Sequence, residues 1–288
     1  MMIVRSIAEM QAAALAWRRA GQRIGLVPTM GYLHGGHLSL VELARCECDV
    51  VVVSIFVNPT QFGPQEDLAK YPRDFERDVA CCREAGVDAI FVPEPGDMYA
   101  ADFSTWVTEE QLSRPLCGAR RPGHFRGVVT VVAKLFNAVL PDVAVFGQKD
   151  AQQCLVIQRL VRDLNFPVTL RIGPIRRDAD GLAMSSRNVY LSPDERQRAL
   201  AISCGVRMAE AAFAAGERRG VVLCAMVHDA ITAAGGRPDY VELRSRQDLR
   251  ELMAASEPAV LAVAAVFGVT RLLDNTFLGC PAPARHHY

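Results

Sequence analysis

This chain has no excess of charge of either sign. Over 288 residues, Lys plus Arg total 32 and Asp plus Glu total 32. The formal net charge is zero, and a general polyanion-binding surface is not implied. Any phosphate binding must therefore be local, and a nucleic-acid partner is not expected. Long apolar runs are missing too. The longest, PAVLAVAAVFGV at 258–269, falls short of the roughly 20 residues needed to span a bilayer. The N-terminal MMIVRSIAEMQAAALAWRRAG is broken by Arg5, Glu9 and Gln11, so it lacks the uninterrupted core of a secretory signal. The expectation is a cytoplasmic protein with no membrane partner. Internal repeats and low-complexity tracts are absent as well.

Cysteine is present, with nine residues, but in no pairing or metal-binding pattern. Cys46 and Cys48 lie two apart and Cys81 and Cys82 are adjacent, spacings that point to different faces of a helix. Most read as small buried hydrophobes in reducing surroundings. The His286–His287 pair in the terminal ARHHY reads as a frayed tail ahead of a metal pair.

What the chain does have is alternation. The runs at 23–28, 49–58, 88–93, 142–147 and 168–174 are short, rich in β-branched residues and patterned for burial on both faces, as in parallel central strands. Helical stretches lie between them at 36–47, 72–85, 124–140 and 150–164. Strands alternating with helices predict an α/β fold built on a doubly wound parallel sheet. The pattern changes near RRDADGLAMSSRNVYLSPDE, 176–195. There Ser192, Pro193 and Glu195 form the N-cap, first-turn and capping-box positions of a long helix, followed by a second helix and three strand-like runs. Two domains are expected, residues 1–176 forming a Rossmann-like domain and residues 177–288 a smaller α+β domain acting as a lid.

In doubly wound sheets ligands bind beyond the carboxyl ends of the strands, so the residues after each strand carry the functional signal. The first exit, PTMGYLHGGH, contains three glycines and delivers His34 and His37 into a helix start, where amide N–H groups and the helix dipole favour an anion. The glycines permit close approach of a ligand. A helix cap, structural imidazoles or a zinc pair would use the same spacing. The second exit, NPTQFG, offers Asn58 and Gln61, suited to orienting a hydroxyl or carboxylate or, equally, to an Asx turn before Pro59. GQKDAQQ supplies Gly147, Lys149 as a point charge, Asp150 and, one turn on, Gln153; a solvated lysine at a helix start is the plainer alternative. GLAMSSRN brings two hydroxyls and Arg187, a set able to grip phosphate or to serve as a polar linker. Four such exits on one sheet edge point to a nucleotide with its phosphates.

The ordered set PTMGYLHGGHLSL, IFVNPTQFGPQEDLAKYPRD, RPGHFRGVVTVVAKLFN, FGQKDAQQ, DGLAMSSRNVYLS and RLLDN resembles the pantoate–β-alanine ligase family over essentially the whole chain. HGGH and MSSR are also similar to the signature motifs of the wider nucleotidylyltransferase and class I aminoacyl-tRNA synthetase superfamily, so the implied fold is Rossmann-like of the HxGH nucleotidylyltransferase type. The resemblance implies ligation in two steps. ATP and (R)-pantoate give pantoyl adenylate and pyrophosphate, and β-alanine then displaces AMP to form pantothenate, with Mg2+ accompanying the ATP and a homodimer as the usual assembly. By the family pattern Met30, Gly31, Tyr32, Leu33, His34, Gly35, Gly36 and His37 bind ATP, with His37 as catalytic proton donor beside His34 and Lys149. Gly147, Gln148, Lys149 and Asp150, and then Met184, Ser185, Ser186 and Arg187, also bind ATP. Gln61 contacts pantoate and β-alanine, and Gln153 holds pantoate.

One position departs from the pattern. Arg176 stands where the family has a small apolar residue beside adenine, which makes nucleotide selectivity the property to watch. Asp78 reads as a solvated helix carboxylate ahead of a magnesium neighbour. An adenylyltransferase acting on a phosphorylated small molecule would use the same architecture, but Gln61 and Gln153 are neutral where a second phosphate would call for another basic cluster. A nucleotide sensor without turnover is the non-enzymatic alternative.

Overall fold

Val50 to Val53 form a run with no polar side. Such a strand is stable only where both of its faces are covered. The computed structural model, which describes residues 1–64 and 66–279, places it inside a six-stranded parallel sheet. The chain divides into two compact units. One comprises Met1–Gln148, Gln152–Arg176 and Met184–Ser186; the other comprises Lys149–Ala151, Arg177–Ala183 and the chain from Arg187 onward.

In the first unit the elements run β1 (Met2–Val4), α1 (Ile7–Arg19), β2 (Ile24–Thr29), α2 (Gly35–Arg45), β3 (Val50–Ile55), α3 (Phe75–Glu84), β4 (Ala89–Phe91), the one-turn helices α4 (Pro95–Met98) and α5 (Cys117–Arg120), α6 (His124–Val139), β5 (Val143–Gly147), α7 (Ala151–Asp163) and β6 (Thr169–Gly173). The strand order is β1-β4-β3-β2-β5-β6 and every pairing is parallel. From β2 the chain builds one way through β3 and β4 and the other way through β5 and β6. The order therefore reverses between β2 and β5, and the loops leaving β2, β3 and β5 emerge at one edge beside that switch point. Val27, Leu40, Val41, Val51, Val53, Ile90 and Val145 share one buried cluster between sheet and helices. Each such side chain contributes about 1.5–3 kcal/mol relative to exposure.

The second unit contains α8 (Pro193–Ala214), α9 (Gly220–Ala233), β7 (Arg237–Ser245), β8 (Ala259–Phe267) and β9 (Thr270–Leu278). The three strands are antiparallel in the order β7-β8-β9. Ser192 Oγ accepts the Glu195 amide at 3.2 Å while the Glu195 carboxylate accepts the Ser192 amide at 2.8 Å. The reciprocal cap written in SPDE is thus formed. Ile202, Val206, Leu223, Val227 and Ile231 from the helices pack with Leu261, Val263, Ala265 and Phe267 of β8.

Two sequence expectations need correction. The segment 168–174 was patterned for burial on both faces, but β6 is the edge of the sheet, with Thr169 and Arg171 exposed and Leu170 and Ile172 only half-buried. An edge strand has no neighbour to cover it, and a short apolar run does not reveal its place in the order. Among the eight described cysteines none forms a disulfide, yet only Cys82, Cys117 and Cys154 are buried, while Cys46 and Cys204 are exposed. Burial pushes the Cys82 thiol up to about 12 and the Cys48 thiol up to about 11. Both stay protonated and behave as hydrophobes. The His286–His287 pair lies outside the described residues.

Candidate active site

The loop after β2 is built by specific bonds. Thr29 Oγ1 donates to the Ser54 carbonyl at 2.7 Å and accepts the Gly31 amide at 3.1 Å. Gly31 then takes φ +81° and Tyr32 takes φ 50°. The second value is costly for any residue other than glycine and persists only where its surroundings hold it. Here the holder is Asp78, whose carboxylate accepts the amides of Tyr32 at 2.8 Å and Leu33 at 2.7 Å, while the Arg77 guanidinium covers the Tyr32 ring at 4.8 Å. The reading of Asp78 as a solvated helix carboxylate is overturned: it is 1% exposed, with both oxygens committed to the loop. Burial pushes its carboxyl above the ordinary aspartate value, the two amide donors opposing the shift.

His34 and His37 follow at the start of α2, with ring centroids 3.9 Å apart. His34 is the N-cap. Its Nδ1 accepts the Gly36 amide at 3.1 Å, and His37 Nδ1 accepts the His34 amide at 3.3 Å. An imidazole nitrogen that accepts from an amide carries no proton, so both neutral rings are assigned the Nε2–H tautomer. Each ring then carries its proton on Nε2. The amides at this helix start are not all open to an anion, because His34 Nδ1 occupies that of Gly36. The cap and ligand readings of His34 are compatible, since they use different ring nitrogens. A Cβ on Gly36 would stand 2.8 Å from His34 Cε1, so the missing side chain is what lets the imidazole fold back.

The MSSR segment meets this loop directly. A Cβ on Gly35 would lie 3.2 Å from Met184 Sδ, and Ser186 Oγ donates to the Tyr32 carbonyl at 3.2 Å. Segments 154 positions apart in sequence are thus joined within one unit, with Met30 and Ser185 half-buried beside them in the chain. Arg176 presents its carbonyl to the Met184 amide at 2.9 Å. Its half-exposed guanidinium reaches Glu42 at 3.8 Å, a surface pair worth little.

After β3, Asn58 is buried and fully used. Its Oδ1 accepts the Thr60 amide at 3.3 Å and the Thr60 hydroxyl at 2.9 Å, and its Nδ2 donates to the Gly127 carbonyl at 3.1 Å and to Gln61 Oε1 at 2.9 Å. The Asx-turn reading describes Asn58. Gln61 gains its orientation from it: the amide oxygen is held inward and the NH2 is the end available to a carboxylate. The Gln61 carbonyl in turn meets Arg121 Nη2 at 3.2 Å and His124 Nδ1 at 2.9 Å, and Arg121 pairs with Glu66 at 2.6 Å. This bracing comes from Arg121 and His124 of the RPGHFRG motif, a role that the motif's sequence does not reveal.

Gly147 ends β5 and Gln148 follows it. Lys149 and Asp150 group with the second unit, where Lys149 Nζ lies 3.6 Å from Asp150 and Asn275 Nδ2 donates to the Lys149 carbonyl at 3.0 Å. Arg187 also belongs to that unit, half-buried. In the first unit Gln153 is half-buried on α7. Its neighbour Gln152 donates to the carbonyls of Leu112 at 2.8 Å and Pro115 at 2.7 Å. Among the described residues no three His, Cys, Asp or Glu side chains gather as a metal-ligand cluster.

The model of the Pantoate-beta-alanine ligase family matches residues 2–277. Pantothenate synthetase 1 of Bradyrhizobium diazoefficiens is 54% identical over 279 residues, covering 96% of this chain and 98% of that protein. This chain belongs to the pantoate–β-alanine ligase family. The solved pantothenate synthetase of Thermus thermophilus superposes with a TM-score of 0.90 at 46% identity, covering 96% of this chain and 99% of that one. A pantoate–β-alanine ligase from Francisella tularensis, solved as a complex with beta-gamma ATP and β-alanine, gives a TM-score of 0.81 at 31% identity, covering 96% and 97%. The fold is that of the family: a Rossmann-like parallel sheet with a smaller antiparallel sheet. As a ligase of this family, the chain forms an amide bond with release of AMP.

Proposed function

We propose that this chain condenses (R)-pantoate with β-alanine through an enzyme-bound pantoyl adenylate, using the motif residues described above. In the first step a pantoate carboxylate oxygen attacks the α-phosphorus of ATP, the Pα–O bond to the β-phosphate breaks, and pyrophosphate leaves. The nucleophile is already an anion, so no base is needed to activate it. The protein has to hold two anions together and stabilise charge on the leaving group. The observation that best supports this reading is the paired imidazoles, whose Nδ1 atoms are both taken by amides and whose ring protons therefore sit on Nε2. His37 acts as proton donor and His34 as a second phosphate donor. The loop from Met30 to Gly36, together with Met184, Ser185 and Ser186, holds the nucleotide. Lys149, beside Asp150 and following Gly147 and Gln148, and the guanidinium of Arg187 neutralise phosphate. The main chain at Arg176 receives adenine, and its side chain adds little. Gln61 and Gln153 orient pantoate, and Gln61 also meets β-alanine.

In the second step the neutral amine of β-alanine attacks the acyl carbon and the acyl–phosphate bond breaks to release AMP. Water or a phosphate oxygen takes the amine proton, since these motifs hold no evident base. Mg2+ would enter on the triphosphate, which suits a donor set without a protein cage; its oxygen ligands would be phosphates and water, with half-exposed Asp150 the motif carboxylate able to meet its outer shell. When bound it supplies charge neutralisation across the phosphates. Residues 1–176 serve substrate binding and residues 177–288 a covering role, which domain angles with and without bound adenylate would test. A homodimer, a cytoplasmic location and the lack of nucleic-acid and membrane partners belong to the same proposal. Zero net charge implies no general polyanion-binding surface, and among the described residues no helix is long and apolar enough to cross a membrane.

The deciding experiment measures AMP with ATP, pantoate and β-alanine each omitted in turn. AMP should require all three, and pyrophosphate should need only ATP and pantoate. ATP binding without any AMP would leave a nucleotide sensor. Gly127→Ala supplies a second check. A methyl group there would stand 2.4 Å from the Thr60 carbonyl oxygen and 2.9 Å from the Gln61 amide nitrogen, so the NPTQ turn must shift. KM for pantoate should rise about tenfold or more while KM for ATP stays put; an unchanged pantoate KM in steady-state assays would separate Gln61 from that substrate.

A further inference from the structure

RLLDN, at 271–275, belongs to the motif set, yet none of the chemistry above uses it. It lies on β9, where Asp274 pairs with Val263 and Asn275 with Ala262 of the buried strand β8. Asp274 is 2% exposed at its side chain and receives Arg177 through two parallel bonds, Nη1 at 2.6 Å and Nη2 at 3.0 Å. The same carboxylate accepts the Asn275 amide at 2.8 Å. Asn275 is thereby fixed from its own backbone outward, and its Nδ2 donates to the Lys149 carbonyl at 3.0 Å.

We propose that Asn275, anchored by the Asp274–Arg177 pair, is a positioning residue that sets the placement of Lys149 for the adenylation step. The claim rests on the phosphate role given to Lys149. Lys149 occupies a single 3-10 turn, Gln148–Asp150, too short to hold its own geometry. A neutral amide is the side chain suited to the task, because an NH2 can donate to a carbonyl and a carboxylate cannot. An Asp at 275 would lose the bond and place a second carboxylate near the lysine.

The test is a double-mutant cycle on the full chain, read as single-turnover pyrophosphate release from ATP and pantoate. Asp274→Ala is unsuited to it, since removing one partner of a buried pair threatens folding. Asn275→Ala and Asn275→Asp should each slow that step about tenfold and leave β-alanine attack on preformed pantoyl adenylate at the parent rate. In a Lys149→Ala background the Asn275→Ala effect should shrink to less than about twofold, because two residues acting as one unit are not additive. A parent first-step rate in Asn275→Ala overturns the proposal. So does an undiminished effect in the Lys149→Ala background, which would mark a general structural role. A parent first-step rate in Lys149→Ala alone would remove the lysine assignment itself, and the relay with it.

Discussion

His37→Ala should slow pyrophosphate release in a single turnover by about 10²- to 10³-fold, the cost of removing one well-aimed donor from a developing anion. The loss should fall on the rate of the chemical step. Pantoate binding, assigned to Gln61 and Gln153, should change little, so kcat drops while pantoate KM holds. Two local effects need separating. His37 Nδ1 also accepts the His34 amide, so the alanine variant removes both a donor toward phosphate and a brace on the loop. His37→Asn distinguishes them: its short amide can still accept near the helix start but lacks the reach of an imidazole Nε2–H. Recovery of thermal stability without recovery of rate would assign the loss to the ring proton, whereas equal single-turnover rates in parent and His37→Ala would take the histidine out of the chemistry.

The parts of this molecule that were legible in advance are those whose cause is local. The runs at 49–58 and 142–147 declare buried strands because apolar residues, several of them β-branched, succeed one another with no polar face, and SPDE declares a helix start because its cap is made by residues three apart. The same local logic holds in SIAE, where Ser6 and Glu9 form a capping box on α1, whereas the three residues of β1 are too few to show a period. The glycine-rich loop was readable for a related reason: three glycines and two histidines exceed what a turn requires. What could not be read is what depends on distant partners. Asn58 makes its bond to Gly127 across 69 positions, and nothing in NPTQFG distinguishes an amide that binds substrate from one that braces its neighbour. The edge position of β6 depends on strand order, which no single segment contains. Asp78 did leave a signal. Phe75, Val79 and Cys82 share its helix face at spacings of three, one and four, so an acid there sits on an apolar stripe where a solvated carboxylate does not belong.

Asp78→Ala should therefore have the other large effect, and on two observables at once. It strips partners from the Tyr32 and Leu33 amides, and leaving such groups unsatisfied costs about 1–3 kcal/mol each, so the thermal midpoint should fall clearly. It also removes the carboxylate bond that fixes the Tyr32 amide at φ 50°, leaving only the Ser186 hydroxyl and the Arg77 guanidinium on that residue, so the loop carrying both histidines loses its geometry. The first step should slow by about 10²-fold. Asp78→Asn separates the two consequences through the sign of the pKa shift. Burial raises the carboxyl above its ordinary value, so the folded protein binds that proton more readily than the unfolded chain. This group's contribution to stability is greatest in acid and is lost as pH rises through the raised pKa. At neutral pH the ionised carboxylate is thus held at a cost in stability, which asparagine would not incur. Asparagine, however, has a single acceptor oxygen and places an NH2 donor where the second stood, whereas the Tyr32 and Leu33 amides bond to separate oxygens of Asp78, so one amide must give up its present bond or move. The expected result is a stability near that of the parent with a first-step rate close to that of Asp78→Ala. If Asp78→Asn instead adenylates pantoate at the parent rate, the buried charge is not what shapes the histidine loop, and Tyr32 must be held in its left-handed conformation by the Ser186 hydroxyl and the Arg77 guanidinium.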